Sequence, residues 1–285
     1  MRIYKNDGDI FIERDDQWYH LSEMDWDDFI NRKGLYQYLV NLLEDITPMA
    51  KAPDFTPDAP IGRQEIWAAG VTYLKSKIAR MEEAEAAGGG DFYNRVYDAD
   101  RPEIFFKATP ARTVGTEREV YIRHDSDWDV PEPELTLFIS SEGTIEGYSI
   151  GNDMSSRSIE GENPLYLPQA KTYERCAGLG PCIMVSGEPI LPRTEIKLQI
   201  DRGGQIMYNE SVAISQMKRT HTELAGYLYR ECEFPYGCFL MTGTCLVPDH
   251  PFTLEVGDKV TIQIDGIGKL VNYVSKNPSK PKYLK

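Results

Sequence analysis

The chain of 285 residues, 41% of them hydrophobic, is long enough for one large domain or roughly two, with a sizeable core. A formal net charge of −14 excludes nucleic acid and an anionic membrane as main partners, since both require a basic face. Five cysteines without CxxC spacing exclude a zinc ribbon or a disulfide framework and predict reduced, buried thiols. With no signal-peptide core and no apolar run of membrane length, a cytoplasmic location is expected.

Residues 1–60 read as a small N-terminal α+β domain and 61–285 as the main domain. Ile3 to Arg14 alternate as a hairpin around Asn6-Asp7-Gly8. Leu35, Leu39, Leu42 and Leu43 then recur at helical spacing in a helix from about Asp27 to Asp45 that Pro48 ends, and Pro53, Pro57 and Pro60 mark a linker. Glu65 to Val71 reads as a buried strand running into a loop at Thr72-Tyr73. Lys75 to Ala87 reads as a charged helix closed by Gly88-Gly89-Gly90, a hinge, so that residues 75–90 are either a lid over the site or a solvated surface helix. From Pro102 to Asp265 short apolar strands dominate, among them Leu135 to Ile139, Ile183 to Val185 and Ile196 to Ile200. One helix interrupts them, with Met217, His221, Leu224, Ala225 and Leu228 as its apolar stripe, which makes His221 a helix-face residue rather than a ligand. Gly257 to Gly268 form a strand and turn, and the lysine-rich tail from Lys276 is peripheral.

Chemistry concentrates in Glu132-Pro133-Glu134. Two carboxylates at i and i+2 of a strand share a face and can grip one cation. Pro133 cannot donate to a sheet ladder, which predicts an edge strand or a bulge. Asp153 closes Gly147-Tyr-Ser-Ile-Gly-Asn-Asp153, a run that reads as a strand end, and Lys171 follows. Three carboxylates with no His or Cys at ligand spacing favour Mg²⁺, or Mn²⁺, over Zn²⁺ and leave positions open for water or substrate. Arg101, Lys107, Arg157 and Lys171 are the cations near these carboxylates. A structural Ca²⁺ in a binding module is the non-enzymatic alternative.

These motifs, in this order, resemble the fumarylacetoacetate hydrolase superfamily from about Gln64 to the C-terminus. Glu132-x-Glu134-Leu looks like its E-x-E-L metal motif, and Gly147 to Arg157 like its G-Y-x-x-x-N-D-x-S-x-R segment. Lys171 with Gly180-Pro181 looks like its K…G-P segment, and Thr242-Gly-Thr244 with Gly257-Asp258-Lys-Val like its closing elements. The resemblance implies a β-rich α+β chain with a mixed β-sandwich or roll core, a catalytic domain over 61–285, and a homodimer or homotetramer. It also implies Glu132, Glu134 and Asp153 as metal ligands.

Hydrolases of that superfamily carry N-Y-x-x-H-x-x-E to activate water. Here Thr72-Tyr73 is followed by Ser76 and Ala79 at the places of the histidine and glutamate. The segments Arg101 to Pro110 and Ile159 to Lys171 look instead like the 2-keto-3-deoxy sugar acid dehydratases. The implied reaction removes water from a 2-keto-3-deoxypentonate through a metal-stabilised enolate, giving 2,5-dioxopentanoate. An acylpyruvate-type C–C bond hydrolase is the enzymatic alternative. In the dehydratase reading Lys171 is base or electrostatic stabiliser, and Glu103, ahead of Glu160, is the acid/base group. Arg157 and Thr244 lie near the substrate, with Thr72 and Ser76 facing its distal end. The structural alternative for Glu103 is a surface salt bridge to Arg101 or Lys107.

Overall fold

The computed structural model describes residues 1–74 and 95–279. Strands β1 (Arg2–Asn6) and β2 (Asp9–Arg14) form the expected hairpin, closed by Asp7 and Gly8 at φ of 50° and 89°, the left-handed pair that a two-residue turn requires. A second turn of this kind, at Asp15 and Asp16, adds β3 (Gln17–Leu21). The single helix expected over 27–45 is two helices, Trp26–Ile30 and Leu35–Leu42. Gly34 lies between them at φ 74°, outside helical space, and the second helix ends before Pro48 is reached.

The proline-marked linker packs back on the hairpin. Asp58 N–H donates to the Lys5 carbonyl at 2.8 Å, and the Phe55 ring lies 4.7 Å from that of Phe11. β1 in turn pairs with β12 (Ala177–Met184) at Arg2↔Met184 and Ile3↔Ile183, so the N-terminal strands continue the main sheet.

The remaining strands are β4 (Glu65–Gly70), β5 (Glu103–Ala108), β6 (Thr113–Val114), β7 (Arg118–Ile122), β8 (Asp129–Val130), β9 (Pro133–Ile139), β10 (Ile145–Asp153) and β11 (Ser155–Ser156), then β13 (Glu195–Arg202), β14 (Gln205–Ala213), β15 (Cys238–Met241), β16 (Lys259–Ile264) and β17 (Gly268–Lys276). A large sheet runs in the order β3-β2-β1-β12-β10-β9-β15-β4-β5, with β6 also on β12; a five-stranded sheet runs β14-β13-β16-β17-β7; β8 and β11 form a small ribbon. Leu135, Leu137 and Ile150 of the large sheet share a core with Leu198, Ile200, Ile262 and Leu270 of the smaller one. On the large sheet's other face, Phe29, Ile30, Leu35 and Leu39 cover Phe138, Ile183 and Phe239. Every residue of β9 is therefore buried. The architecture is the expected β-rich sandwich with few helices.

Pro133 marks neither an edge nor a bulge: it opens β9, an interior strand between β10 and β15, where a first residue needs no inward N–H. The thiols of Cys176, Cys182, Cys238 and Cys245 are buried, but Cys232 is exposed. The helix with the apolar stripe spans His221–Leu228, started by a Thr220/Glu223 capping box, and leaves Met217 outside it. Burial lowers the pKa of His221 on that helix. Residues 75–90, read as either a lid or a surface helix, lie outside the described residues, as does the tail beyond 279. Among the described residues no helix is long and apolar enough to cross a membrane.

Candidate metal centre

β9 and β10 bring the carboxylates together. Their antiparallel register sets Glu134 opposite Gly151 and Pro133 opposite Asn152, and the Asp153 N–H donates to the Glu132 carbonyl at 2.9 Å. Glu132, Glu134 and Asp153 each offer an oxygen to a group whose atoms lie within 4.8 Å of one another, and none of the three is more than 3% exposed. Asn152, beside them, donates to Asn272 at 3.2 Å and ties β10 to β17.

Anions this crowded and buried need compensation. Lys171, the last residue of helix Leu167–Lys171, donates to Glu132 Oε2 at 2.7 Å, to Ser155 Oγ at 2.6 Å and to Asp153 Oδ2 at 3.2 Å. Arg157 opens a helix capped by Ser156, and its Nη2 donates to Glu132 Oε1 at 2.6 Å. Glu134 accepts the Gly243 N–H at 2.6 Å. Burial first, then repulsion by Asp153 and Glu132, holds the Glu134 carboxyl well above the usual carboxylate range, against the pull of Lys171 and the Gly243 amide. A hard divalent cation fits this set: the converging donors are all carboxylate oxygens, and an added positive charge would relieve the strain on Glu134.

A cavity of about 20 Å³, room for roughly one water-sized sphere, is lined by these residues with Phe105, Gly70 and Thr244. Larger hollows exist, one of about 920 Å³ beside Met1 and Arg193, but none of the three carboxylates lines it. The small cavity is distinguished by the chemistry of its lining, in which the three carboxylates meet Lys171 and Arg157.

Of the residues expected from sequence, Lys171, Arg157 and Thr244 join the carboxylates at this cavity. Glu103 does not line it but backs Gly70, which does: the two pair across β5 and β4, and the Glu103 carboxylate covers Gly70 so closely that a Cβ there would fall 2.0 Å from Oε2. Glu160 is buried, with Oε2 3.8 Å from Arg157 Nε. The Thr72 hydroxyl turns away, donating to the Thr242 carbonyl at 2.7 Å, so it braces the turn that presents the Gly243 amide. Ser76 and Ala79 lie outside the described residues.

Lys107 is not a surface partner of Glu103. It is 0% exposed, with Nζ 2.6 Å from Asp153 Oδ1 in an ion contact that lacks hydrogen-bond alignment. It also donates to the carbonyls of Met154 at 2.8 Å and Lys171 at 2.5 Å. The sequence carries one signal of this, a lysine set in the apolar run Ile104-Phe105-Phe106. Ser155 and the Gly243 amide carry no comparable signal.

A β-sandwich that brings an acidic triad beside a buried lysine offers a candidate metal centre, and comparison supplies the family. Residues 66–275 match the family described as "Fumarylacetoacetate (FAA) hydrolase C-terminal", and the chain belongs to it. It is 50% identical over 217 residues to the "Probable 2-keto-3-deoxyxylonate dehydratase" of Haloferax volcanii, covering 76% of this chain and 74% of that protein. It is 43% identical over 219 residues to the "2-dehydro-3-deoxy-D-arabinonate dehydratase" of Saccharolobus solfataricus, with 76% and 74% covered. Among solved structures, a "2-keto-3-deoxy-D-arabinonate dehydratase complexed with magnesium and 2,5-dioxopentanoate" superposes with a TM-score of 0.81 at 35% identity, covering 97% of this chain and 98% of that one.

Proposed function

We propose that the protein is a Mg²⁺-dependent hydro-lyase that removes water from a 2-keto-3-deoxy sugar acid, a pentonate, to give 2,5-dioxopentanoate. The observation that carries this reading is the set of three buried carboxylates with an ammonium touching two of them, in a chain whose relatives are named dehydratases of such acids. Glu132, Glu134 and Asp153 would hold the ion, and the chemistry it supplies when bound is to polarise the ketone of a 2-keto acid and acidify C3. Mn²⁺ shares the donor preference and would substitute.

Lys171 is fixed by Glu132, Asp153 and Ser155, so its charge stands ready where negative charge grows on the C2 oxygen. Glu103, over Gly70 at the cavity wall, moves the proton between C3 and the leaving group. Arg157 and Thr244 line the approach. The C3 proton and the C4 hydroxyl leave as water, and proton shifts then turn the C5 alcohol into an aldehyde, so no oxidant is required. A structural Ca²⁺ site calls for six or more oxygens, whereas three carboxylates converge among the described residues.

The test is incubation with Mg²⁺ and a 2-keto-3-deoxypentonate, following the dioxo acid. Release of pyruvate from an acylpyruvate, without dehydration, would instead make the protein a C–C bond hydrolase. A homodimer or homotetramer in the cytoplasm completes the proposal, and sedimentation gives the subunit number.

A further inference from the structure

We propose that Lys107 is a positioning residue of this centre: its ammonium fixes Asp153 and the main chain of Lys171, and its charge keeps the site near neutrality as negative charge develops on the substrate. The backbone places it deliberately. The β4–β5 register passes from Ile66↔Ala108 to Trp67↔Phe106, leaving Lys107 as the extra residue of a bulge, a device that re-aims side chains next to functional sites. Phe105, two residues before it on β5, lies beneath the Lys171 ammonium, whose Nζ is 5.6 Å from the ring centroid. One strand thus carries Glu103, Phe105 and Lys107, and each meets a different part of the site.

Stability alone does not account for a lysine here. A buried ion pair is commonly replaced by apolar residues at little cost, so an ammonium kept fully buried against a metal-binding carboxylate points to a role in the chemistry. The buried charges make the argument quantitative in sign. Glu132, Glu134, Asp153 and Glu160 face Lys107, Arg157 and Lys171; with a divalent ion bound and Glu134 drawn into its charged form by it, four carboxylates against three cations and the ion total one positive charge. A 2-keto acid brings one negative charge and its enolate two. With Lys107 the total passes from zero to one negative; without it, from one to two, which opposes enolate formation. The same charge repels the divalent ion and competes with it for Asp153.

Removing Lys107 therefore moves two measurable quantities in opposite directions. The full-length variants Lys107→Met and Lys107→Gln are compared with the parent protein by calorimetric titration with Mg²⁺ alone and by steady-state kinetics on the pentonate. Mg²⁺ is expected to bind at least about threefold more tightly in both variants. At the same time kcat is expected to fall at least about tenfold. Gln retains two N–H donors for the Met154 and Lys171 carbonyls but no charge, so it should behave as Met does, and it decides the matter should Met fold poorly. Weaker Mg²⁺ binding alongside lost turnover would mark a merely structural lysine and overturn the proposal, as would unchanged kcat in the Gln variant. The inference rests on the dehydration reading, but the titration needs no turnover. An inactive parent protein would sink that reading alone, while the direction of the affinity change would still judge Lys107.

Discussion

Glu132→Gln removes one charge with little change of shape, at a residue whose two oxygens face different cations: Arg157 Nη2 at 2.6 Å and Lys171 Nζ at 2.7 Å. An amide offers one acceptor and one donor, so one of the two cations must meet an NH₂ group. Leaving a buried charge wholly unpaired costs roughly 3–5 kcal/mol. Neither cation is left in that state, because Lys171 keeps Ser155 at 2.6 Å and Asp153 at 3.2 Å, and Arg157 keeps Glu160 at 3.8 Å. The expected loss is therefore smaller, about 1–3 kcal/mol, read as a fall in melting temperature of roughly 2–12 °C. Function should suffer far more. Losing both a ligand oxygen and its charge should weaken Mg²⁺ binding at least about tenfold and lower kcat/KM about 100-fold or more. Calorimetric titration, thermal melting and the Mg²⁺-dependent dehydration assay measure the three effects. Mg²⁺ affinity and kcat/KM both within threefold of the parent would remove Glu132 from the cage, the threshold being about half the expected tenfold effect on a logarithmic scale.

Gly70→Ala should displace the Glu103 carboxylate, since the new Cβ would lie 2.0 Å from Oε2. Because that obstacle is the end of a flexible side chain, stability should change by less than about 1 kcal/mol while kcat drops at least about tenfold; full turnover would argue that Glu103 does not act on the substrate. Thr72→Val should cost about 1 kcal/mol by removing the hydrogen bond to the Thr242 carbonyl, with KM nearly unchanged, whereas a large rise in KM would restore Thr72 as a substrate contact. Asp129→Asn tests a pH dependence outside the metal cage. Burial raises the Asp129 carboxyl to about 6, against the lowering effects of Ser126, Lys276 and Arg123. The folded form then holds the proton more tightly than the unfolded chain, whose value is about 3.9, so stability falls as pH rises from about 4 to about 6 and stays lower above that. Asn should raise the melting temperature at pH 8, by an order of 1–3 kcal/mol in stability, and leave it unchanged at pH 4. A lower melting temperature at pH 8 would refute the assignment.

What the sequence discloses about this site follows the reach of local rules. Glu132 and Glu134 are legible as a pair because alternation along one strand needs no knowledge of neighbours, and Asp153 because an apolar run closing on a polar turn marks a strand end. The hairpin at Asp7-Gly8 is legible for the same reason, while the turn at Asp15-Asp16 is not, since two aspartates do not announce left-handed backbone as glycine does. The leucines at 35, 39, 42 and 43 all follow Gly34, so their spacing says nothing about residues 27–34, and the break between two helices goes unread. The misreading of Pro133 shows where local rules stop. A missing N–H says that the residue is not in mid-ladder, but its interior place depends on β10 and β15, which only the fold brings alongside.

Lys107 tests the same boundary from the other side. A lysine among Ile104, Phe105 and Phe106 either faces solvent from an edge strand or meets a buried anion, and sequence alone does not choose. β5 is indeed the terminal strand of the large sheet, which would favour solvent. The bulge opposite Ile66 and Trp67 turns the choice inward, and with Asp153 Oδ1 at 2.6 Å the anion is supplied by a strand that β5 never pairs with. A charge that could have been solvated at an edge is instead enclosed against a carboxylate of the acidic triad, and on the reading proposed above the electrostatics of the site, rather than the packing of the sheet, is the reason for a lysine at position 107.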